Sequence, residues 1–215
     1  MLDFDQIFTL MASFGLSLSA GVRAYLPLLA LGIASDVGPI GSFHIKLRSD
    51  FAWIGNPLFL ALLAILTVYE ISADKIPVVD HINDIVHTVI RPLSGALIFT
   101  ATSNPLSNSG MTGAIIAALI GGGIAGTAHV TKAAVVRPAT TVTTAGLGNP
   151  FVSLLEDVLV VITTALALIF PLIGFILIVF VLFFIIRAIV MLNRRRQQRA
   201  ATNAMVTPGG GGTRY

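Results

Sequence analysis

The sequence has 215 residues, of which 55% are hydrophobic and 11% are Asp, Glu, Lys or Arg, and its formal net charge is +3. A soluble domain carries about 25% charged residues, so this composition excludes an ordinary soluble globular protein. The absence of cysteine excludes disulfides, thiol catalysis and thiolate metal sites. Four basic residues lie in "RRRQQR" at 194–199, which favours a membrane-topology signal over nucleic-acid binding.

The apolar residues form six segments, each long enough to enter or cross a bilayer. They cover about residues 6–33, 57–74, 84–102, 111–136, 150–170 and 172–193. We therefore predict an all-α fold, a polytopic membrane helical bundle of about six spans within residues 1–199. Residues 200–215 are expected to form a flexible cytoplasmic tail.

The first segment carries a cation in its middle. Arg23 lies far from either end of "SAGVRAYLP" and needs a carboxylate, carbonyls or an anionic ligand there. Pro27, four residues later, removes a backbone hydrogen bond, so this segment is expected to be broken or re-entrant. A structural ion pair is the alternative to a ligand-binding role for Arg23.

The second segment ends in acidic residues. Glu70 still lies within the apolar run and Asp74 follows it on the same helix face, directly before Lys75. An acidic side chain in a span costs at least about 2.5 kcal/mol near the bilayer centre and usually faces a polar interior. Pairing with a basic residue of a neighbouring span and a role in transport are compatible readings of Glu70.

The next stretch, "DKIPVVDHINDIVHTVIRP" at 74–92, is unusually rich in charge. Asp80, Asp84, His87 and Arg91 are spaced so that a helix places them on one face. They form either a solvated face with intrahelical pairs or the lining of a cation, proton or headgroup site. Charged groups in other segments favour the second reading.

Prolines are expected to begin, bend or end helices in the charged stretch and in a later segment. Pro77 suits the first turn of the charged helix, and Pro92 is expected to kink or end it. In "FPLIG", Pro171 and Gly174 are expected to break the fifth and sixth segments into a hairpin.

The fourth segment has a small-residue row that predicts close helix packing. The row recurs every fourth residue and consists of Gly113, Ala117, Gly121, Ala125 and His129. Lys132 shares a face with His129. The two basic groups are therefore expected beside other helices, as candidate site residues.

The fifth segment opens with Ser153, Glu156 and Asp157. They either cap the helix and complement its dipole or supply oxygen ligands to a hard cation. Candidate metal ligands in the chain are Asp80, Asp84, His87, Glu156 and Asp157. No cofactor is predicted otherwise; a bound cation or a lipid remains open.

Topology follows from the basic residues. The arginines at 194–199 place the C-terminus in the cytoplasm, and six spans place the N-terminus there too. "GNP" opens apolar segments at 55–57 and at 148–150, on opposite sides of the membrane in this topology. That arrangement is typical of an inverted repeat.

Three stretches together resemble one family, the bacterial integral membrane proteins that contain the domain of unknown function DUF4126. The stretches are "AGVRAYLPLLALG", "YEISADKIPVVDHINDIVHTVIRPLSGAL" and "GNPFVSLLED", and the resemblance covers most of residues 10–190. The resemblance implies an integral membrane protein and supplies no activity, substrate or site. We predict that the protein lies in the bacterial inner membrane.

Three functions are compatible with these patterns. The first is a small transporter or channel with a cytoplasm-facing polar cavity, for a cation or a proton-coupled substrate. The second is a non-catalytic scaffold or accessory subunit of a larger membrane complex. The third is a lipid-headgroup or lipid-phosphate binding protein or enzyme, for which no nucleophile–base motif is present. The expected partners are the bilayer and a homo-oligomer or larger complex, with no nucleic acid.

Overall fold

A computed structural model describes residues 4–37, 45–103, 110–133 and 149–173, with single positions from 175 to 194. The side chains of 77–82, 84 and 149–152 lie outside the described part, as does the tail 200–215. The described residues contain helices and no strand. In chain order the helices are α1 (Phe4–Ala20), α2 (Tyr25–Val37), the 3₁₀ helix η1 (Ser49–Gly55), α3 (Pro57–Ala73), α4 (Pro77–Thr102), α5 (Gly110–Thr131) and α6 (Asn149–Ile169).

Local sequence sets several of these boundaries. α3 begins at Pro57, where the Asn56 Oδ1 accepts a hydrogen bond of 2.9 Å from the Leu58 N–H. α4 begins at Pro77 as predicted. The helix then continues through Pro92 to Thr102, so Pro92 does not end it, and the alternative of a kink there stays a prediction. Neighbouring helices in lipid can hold a helix together across a missing N–H.

Two described stretches are long and apolar enough to cross a membrane, Ile85–Thr102 and Gly110–Thr131. η1 and α3 meet at a bend of 60° and make a third if they count as one broken span. The apolar helices indicate a membrane-embedded protein. α6 ends at Ile169 and helix resumes at Pro171, so a helix interruption lies at Phe170; Gly174 lies outside the described residues, and the predicted hairpin stays a prediction.

The contacts of α1 and α2 show that the chain turns back between them. Ser17 of α1 donates a hydrogen bond to the Gly95 carbonyl, and Ser13 bonds Thr102 further along α4. α1 therefore runs antiparallel to α4. Helix α2 runs antiparallel to α3, because its first turn contacts Glu70 and Gly32 packs on Leu60.

This reversal corrects the prediction of one span over 6–33. The segment is broken, as Pro27 suggested, but it forms two helices that fold back on each other. α1 thus begins at the end of the bundle opposite the 74–76 turn. The prediction places the N-terminus and that turn on one side of the membrane, and it stays a prediction because helix directions alone do not define the membrane sides.

The tight packing of α4 on α5 confirms the seam read from the sequence. A Cβ added at Gly95 would lie 2.6 Å from the Gly121 carbonyl oxygen and 2.5 Å from the Ala125 Cβ. The backbones of the two helices therefore touch. Residues of the row, from Gly113 to His129, are buried. The seam is a contact within one chain.

Residues 179–215 form a second compact unit, separate from residues 1–178. Its described positions, between 179 and 194, are helical and carry exposed apolar side chains. The rings of Phe180 and Phe184 lie 4.7 Å apart.

Candidate functional site

The break between α1 and α2 places Arg23 inside the bundle. Residues 21–24 are not helical, and Gly21 packs so closely on α5 that an added Cβ would lie 2.6 Å from the Ala128 Cβ. This leaves Arg23 1% exposed. Glycine is required at this approach because any side chain would push the break away from α5.

Arg23 joins the end of α3 to the start of α6. Its Nη1 forms an ion pair with Asp74, which follows the last residue of α3. Its Nη2 lies 2.6 Å from the Asp157 Oδ1 and donates a hydrogen bond of 3.1 Å to the Ser153 Oγ. A planar guanidinium suits this role because it donates in several fixed directions.

Glu70 closes the other side of the break. Its carboxylate oxygens accept hydrogen bonds of 3.1 and 3.0 Å from the Ala24 N–H, and one of 3.4 Å from the Tyr25 N–H. These amides open α2, where the helix dipole favours a negative charge. Glu70 is fully buried, and both His87 Nε2 and Arg91 Nη2 lie 3.5 Å from its Oε1.

The two buried histidines have different tautomers. His87 Nδ1 lies 2.8 Å from the Asn83 carbonyl oxygen, which only accepts, so Nδ1 carries the proton. His129 Nδ1 lies 2.8 Å from Arg91 Nη1, which only donates, so the proton of His129 is on Nε2, 3.3 Å from the Thr88 Oγ1. Arg91 therefore contacts the unprotonated nitrogen of the His129 ring, while the Nε2 of His87 faces a carboxylate.

Lys132 completes the cluster just after α5. Its Nζ lies 2.8 Å from the Glu156 Oε2 and 3.5 Å from the Asp74 Oδ2. Asn83 donates a hydrogen bond of 2.9 Å to the other oxygen of Asp74. Asp74 thus meets a guanidinium, an ammonium and an amide, and it connects the two halves of the cluster.

The cluster collects ionisable groups from every described α-helix of the bundle or from the residues that adjoin it. We call it the ionic cluster, defined by Arg23, Glu70, Asp74, His87, Arg91, His129, Lys132, Ser153, Glu156 and Asp157. Three side chains are cationic and four are anionic, so with neutral histidines its described members carry a net charge of −1. An unbalanced charge in an apolar bundle favours uptake of a proton or another cation.

Most of the site residues predicted from the sequence therefore meet. Lys75 does not, because it is exposed beyond the end of α3. The side chains of Asp80 and Asp84 lie outside the described residues. Among the residues that the structure describes, no group of three or more His, Asp or Glu is arranged as metal ligands.

Sequence reasoning missed the amides of Ala24 and Tyr25, and the side chains of Asn83 and Thr88. Asn83 could have been found, because it lies four residues before His87 on the same helix face. No sequence pattern could have identified the two amides, because their role depends on the position of the Glu70 carboxylate in the folded bundle.

The comparisons with known proteins place this arrangement in a family. A family model described as "Domain of unknown function (DUF4126)" matches residues 10–191, and the chain belongs to that family. No curated protein and no solved structure matches the chain. The match spans α1 to α6 apart from the first residues of α1, and it includes the whole ionic cluster.

Proposed function

We propose that this member of the DUF4126 family is a small membrane transporter that couples its substrate to protons through the ionic cluster. The observation that carries the proposal is that three cationic and four anionic side chains meet in one cluster inside an apolar bundle, five of them buried and two, Glu156 and Asp157, mostly buried. An ionised side chain costs roughly 2.5–3.5 kcal/mol at the centre of a membrane helix and less towards its ends. A bundle held together by apolar packing alone has no need of them.

His87 supplies the proton-binding element of the proposal. Neutral His87 would direct the lone pair of Nε2 at the Glu70 carboxylate, 3.5 Å away. A proton bound there turns this contact into a charge-assisted hydrogen bond and brings the cluster to neutrality. Loss of that proton restores the charge of −1. The cluster thus has two charge states that differ by one proton.

The broken helix supports the same class of protein. Transporters commonly bind ions at discontinuous helices, where half-helix ends face a polar interior. Here α2 directs its first amides at the cluster, and α3 ends at it. α3 runs towards the cluster and α6 away from it, so the segments opened by the two "GNP" motifs run in opposite directions, in keeping with an inverted repeat.

We place the cluster at the cytoplasmic side of the membrane. Lys75, exposed beside the cluster, and the arginines at 194–199 support this orientation. α1 and α2 then enter as a hairpin from the outer side, and the remaining five of the six apolar segments cross. This arrangement keeps the C-terminus in the cytoplasm and moves the N-terminus outside.

A scaffold role is the competing candidate, and one observation favours it. Arg23 already pairs with Asp74 and Asp157, and Lys132 already pairs with Glu156. Such pairs hold helices together without any cargo. The two roles differ in whether the isolated protein moves protons.

Proton flux into proteoliposomes tests the proposal. The purified full chain is reconstituted, a membrane potential is imposed, and internal pH is followed with an entrapped dye. We expect flux above that of empty liposomes, reduced at least about tenfold by Glu156→Gln, which alters the charge balance of the cluster. The matched control is Asp50→Asn, because this carboxylate is 69% exposed and pairs only with Arg48 among the described residues.

Proton flux equal to that of empty liposomes, with and without candidate solutes, would overturn the transport proposal. Recovery of a defined complex under mild detergent would then favour the scaffold role. Equal flux in the wild type and in Glu156→Gln would instead remove this carboxylate from the mechanism.

A further inference from the structure

A second polar feature lies at the other end of the bundle. A cavity of about 550 Å³ opens where α2 ends and α3 begins, and residues of η1 and of the stretch 45–47 form the rest of its wall. The ionic cluster lies at the opposite ends of the same two helices, where α2 begins and α3 ends. A helix of 13 residues is roughly 20 Å long, so the cavity and the cluster are separate sites.

The cavity has the size and the mixed lining of a ligand site. Sites for small molecules measure roughly 300–1,000 Å³ and combine an apolar lining with a few polar groups. Asp36, Lys46 and Asn56 supply three of the polar side chains here. Trp53 and the buried Ile45 are among the apolar ones. One carboxylate and one ammonium therefore line the same cavity.

The two charges come from different segments of the chain. Asp36 lies near the end of α2, and Lys46 lies in the stretch that precedes η1. Asp36 forms no ion pair within the part of the chain that the structure describes. A cavity lined by a carboxylate and an ammonium is complementary to a ligand that carries both a cation and an anion. The lining thus favours a zwitterion over a ligand of a single charge.

A further donor lies beside the cationic part of the wall. Arg48 follows Leu47 of the lining, and its backbone N–H donates a hydrogen bond of 2.9 Å to the Ala101 carbonyl, which fixes this stretch on the end of α4. Its Nη2 donates to the Asp50 carboxylate, but its Nη1 is buried and has no hydrogen-bond partner among the described residues. An unsatisfied donor of this kind favours an acceptor such as a phosphate oxygen.

The apolar surroundings of the cavity favour a lipid over a free solute. Trp53 lies in η1 and is partly exposed, while Val37 and Leu58, which lie close to lining residues in the chain, are largely exposed. Tryptophan concentrates at the headgroup layer of membranes because its ring is apolar and its N–H is polar. Acyl chains could contact these side chains while the headgroup occupies the cavity.

We propose that this cavity binds the headgroup of a zwitterionic phospholipid with a primary amine, of the phosphoethanolamine class. Lys46 and Arg48 contact the phosphate, and Asp36 accepts hydrogen bonds from the ammonium group. A primary ammonium suits a carboxylate because it donates three hydrogen bonds, whereas a quaternary ammonium donates none. An anionic headgroup that lacks an amine would meet Asp36 with a like charge. The site is independent of the ionic cluster and of the transport proposed for it.

Thermal unfolding of the full chain with added lipid tests the site. The protein in a mild detergent receives phosphatidylethanolamine, phosphatidylcholine or phosphatidylglycerol with identical acyl chains. We expect phosphatidylethanolamine to raise the Tm by at least about 3 °C over each of the other two lipids. Glycerophosphoethanolamine, the soluble headgroup, is expected to raise the Tm by less than about 1 °C at the same concentration, because it has no acyl chains.

Two charge-removing variants and two matched controls make the result specific. Asp36→Asn and Lys46→Gln are expected to abolish the difference between the lipids, and both should fold because both side chains are exposed. Asp5→Asn and Lys75→Gln remove the same charges from exposed positions that do not line the cavity, and they should keep the full difference. Native mass spectrometry should show phosphatidylethanolamine binding at least about tenfold weaker in the two cavity variants than in the controls.

Equal Tm values in phosphatidylethanolamine and phosphatidylcholine for the wild type would overturn the site. So would a lipid difference that survives in both cavity variants, or one that both controls also lose, because the lipid would then act elsewhere or through net charge alone. Greater stabilisation by phosphatidylglycerol would overturn the zwitterionic headgroup, and an equal effect of glycerophosphoethanolamine would overturn the lipid as its source. None of these outcomes depends on proton flux, so the site and the transport proposal are tested separately.

Discussion

The bundle joins its helices in two physically different ways. The α4–α5 seam uses backbones in direct contact at Gly95 and Gly121, with no charge at that contact. The ionic cluster, a few turns along the same two helices, uses Arg91, His129 and Lys132 with partners from α3 and α6. The seam depends on volume and tolerates no side chain, whereas the cluster depends on the pairing of opposite charges. The comparison therefore separates a helix contact set by volume from one set by charge.

The largest expected effect breaks the seam. Gly121→Val places a side chain against the Gly95 backbone and the Phe99 Cβ, where nothing flexible can give way. We expect a loss of more than about 4 kcal/mol and little or no monodisperse protein by size-exclusion chromatography. The control is Gly123→Ala two residues on, where an added Cβ meets nothing within 4 Å. Gly123→Ala should elute like the wild type, with a small gain of about 1 kcal/mol or less from helix propensity.

The next effect breaks the cluster by charge alone. Arg23→Gln leaves the Asp74 and Asp157 carboxylates without their shared guanidinium, inside an apolar bundle. We expect destabilisation of about 3–5 kcal/mol, measured as the free energy of unfolding in detergent. A cost below 1 kcal/mol would mean that water reaches these carboxylates and that the cluster is more open than its burial indicates.

The smallest expected effect is the coupling energy of one ion pair in the cluster, between Lys132 and Glu156. Lys132→Met and Glu156→Gln, made singly and together, give the coupling energy of the 2.8 Å ion pair. We expect coupling of about 0.5–3 kcal/mol, because the ammonium is buried and Glu156 is mostly so. The reference cycle is the surface pair of Arg48 and Asp50, where about 0–1 kcal/mol is expected. Similar coupling in both cycles would contradict the contrast between a buried cluster and an exposed pair.

Part of this architecture could be predicted from the sequence alone. The apolar segments located the helices closely, since α3 begins at Pro57 as the sequence predicted. The every-fourth-residue row identified the buried face of α5, and the stripe of the charged helix identified His87 and Arg91 as inward-facing. Exposed Ile85 and Val89 lie on the apolar side of the same helix. All of these are local features, set by the 3.6-residue period and by proline at helix starts.

The reversal of chain direction between α1 and α2 could not be predicted from the sequence. Pro27 predicted a break but carries no information on the angle that follows, which depends on what each half-helix packs against. Gly21 on α5 and the Glu70 carboxylate on the α2 amides fix that angle, and both contacts come from distant parts of the chain.

The sequence by itself determined that the protein is a bundle of apolar helices with ionisable residues turned inward, because periodicity and the cost of charge in lipid act on each segment alone. Tertiary structure decided which charges pair, since Arg23 pairs with Asp74 and Asp157 from two distant helices although the sequence offers several equivalent acids. It also decided that the Glu70 carboxylate accepts hydrogen bonds from the amides at the start of α2. Such pairings depend on how closely the helix backbones approach, and that distance is a property of the assembled bundle.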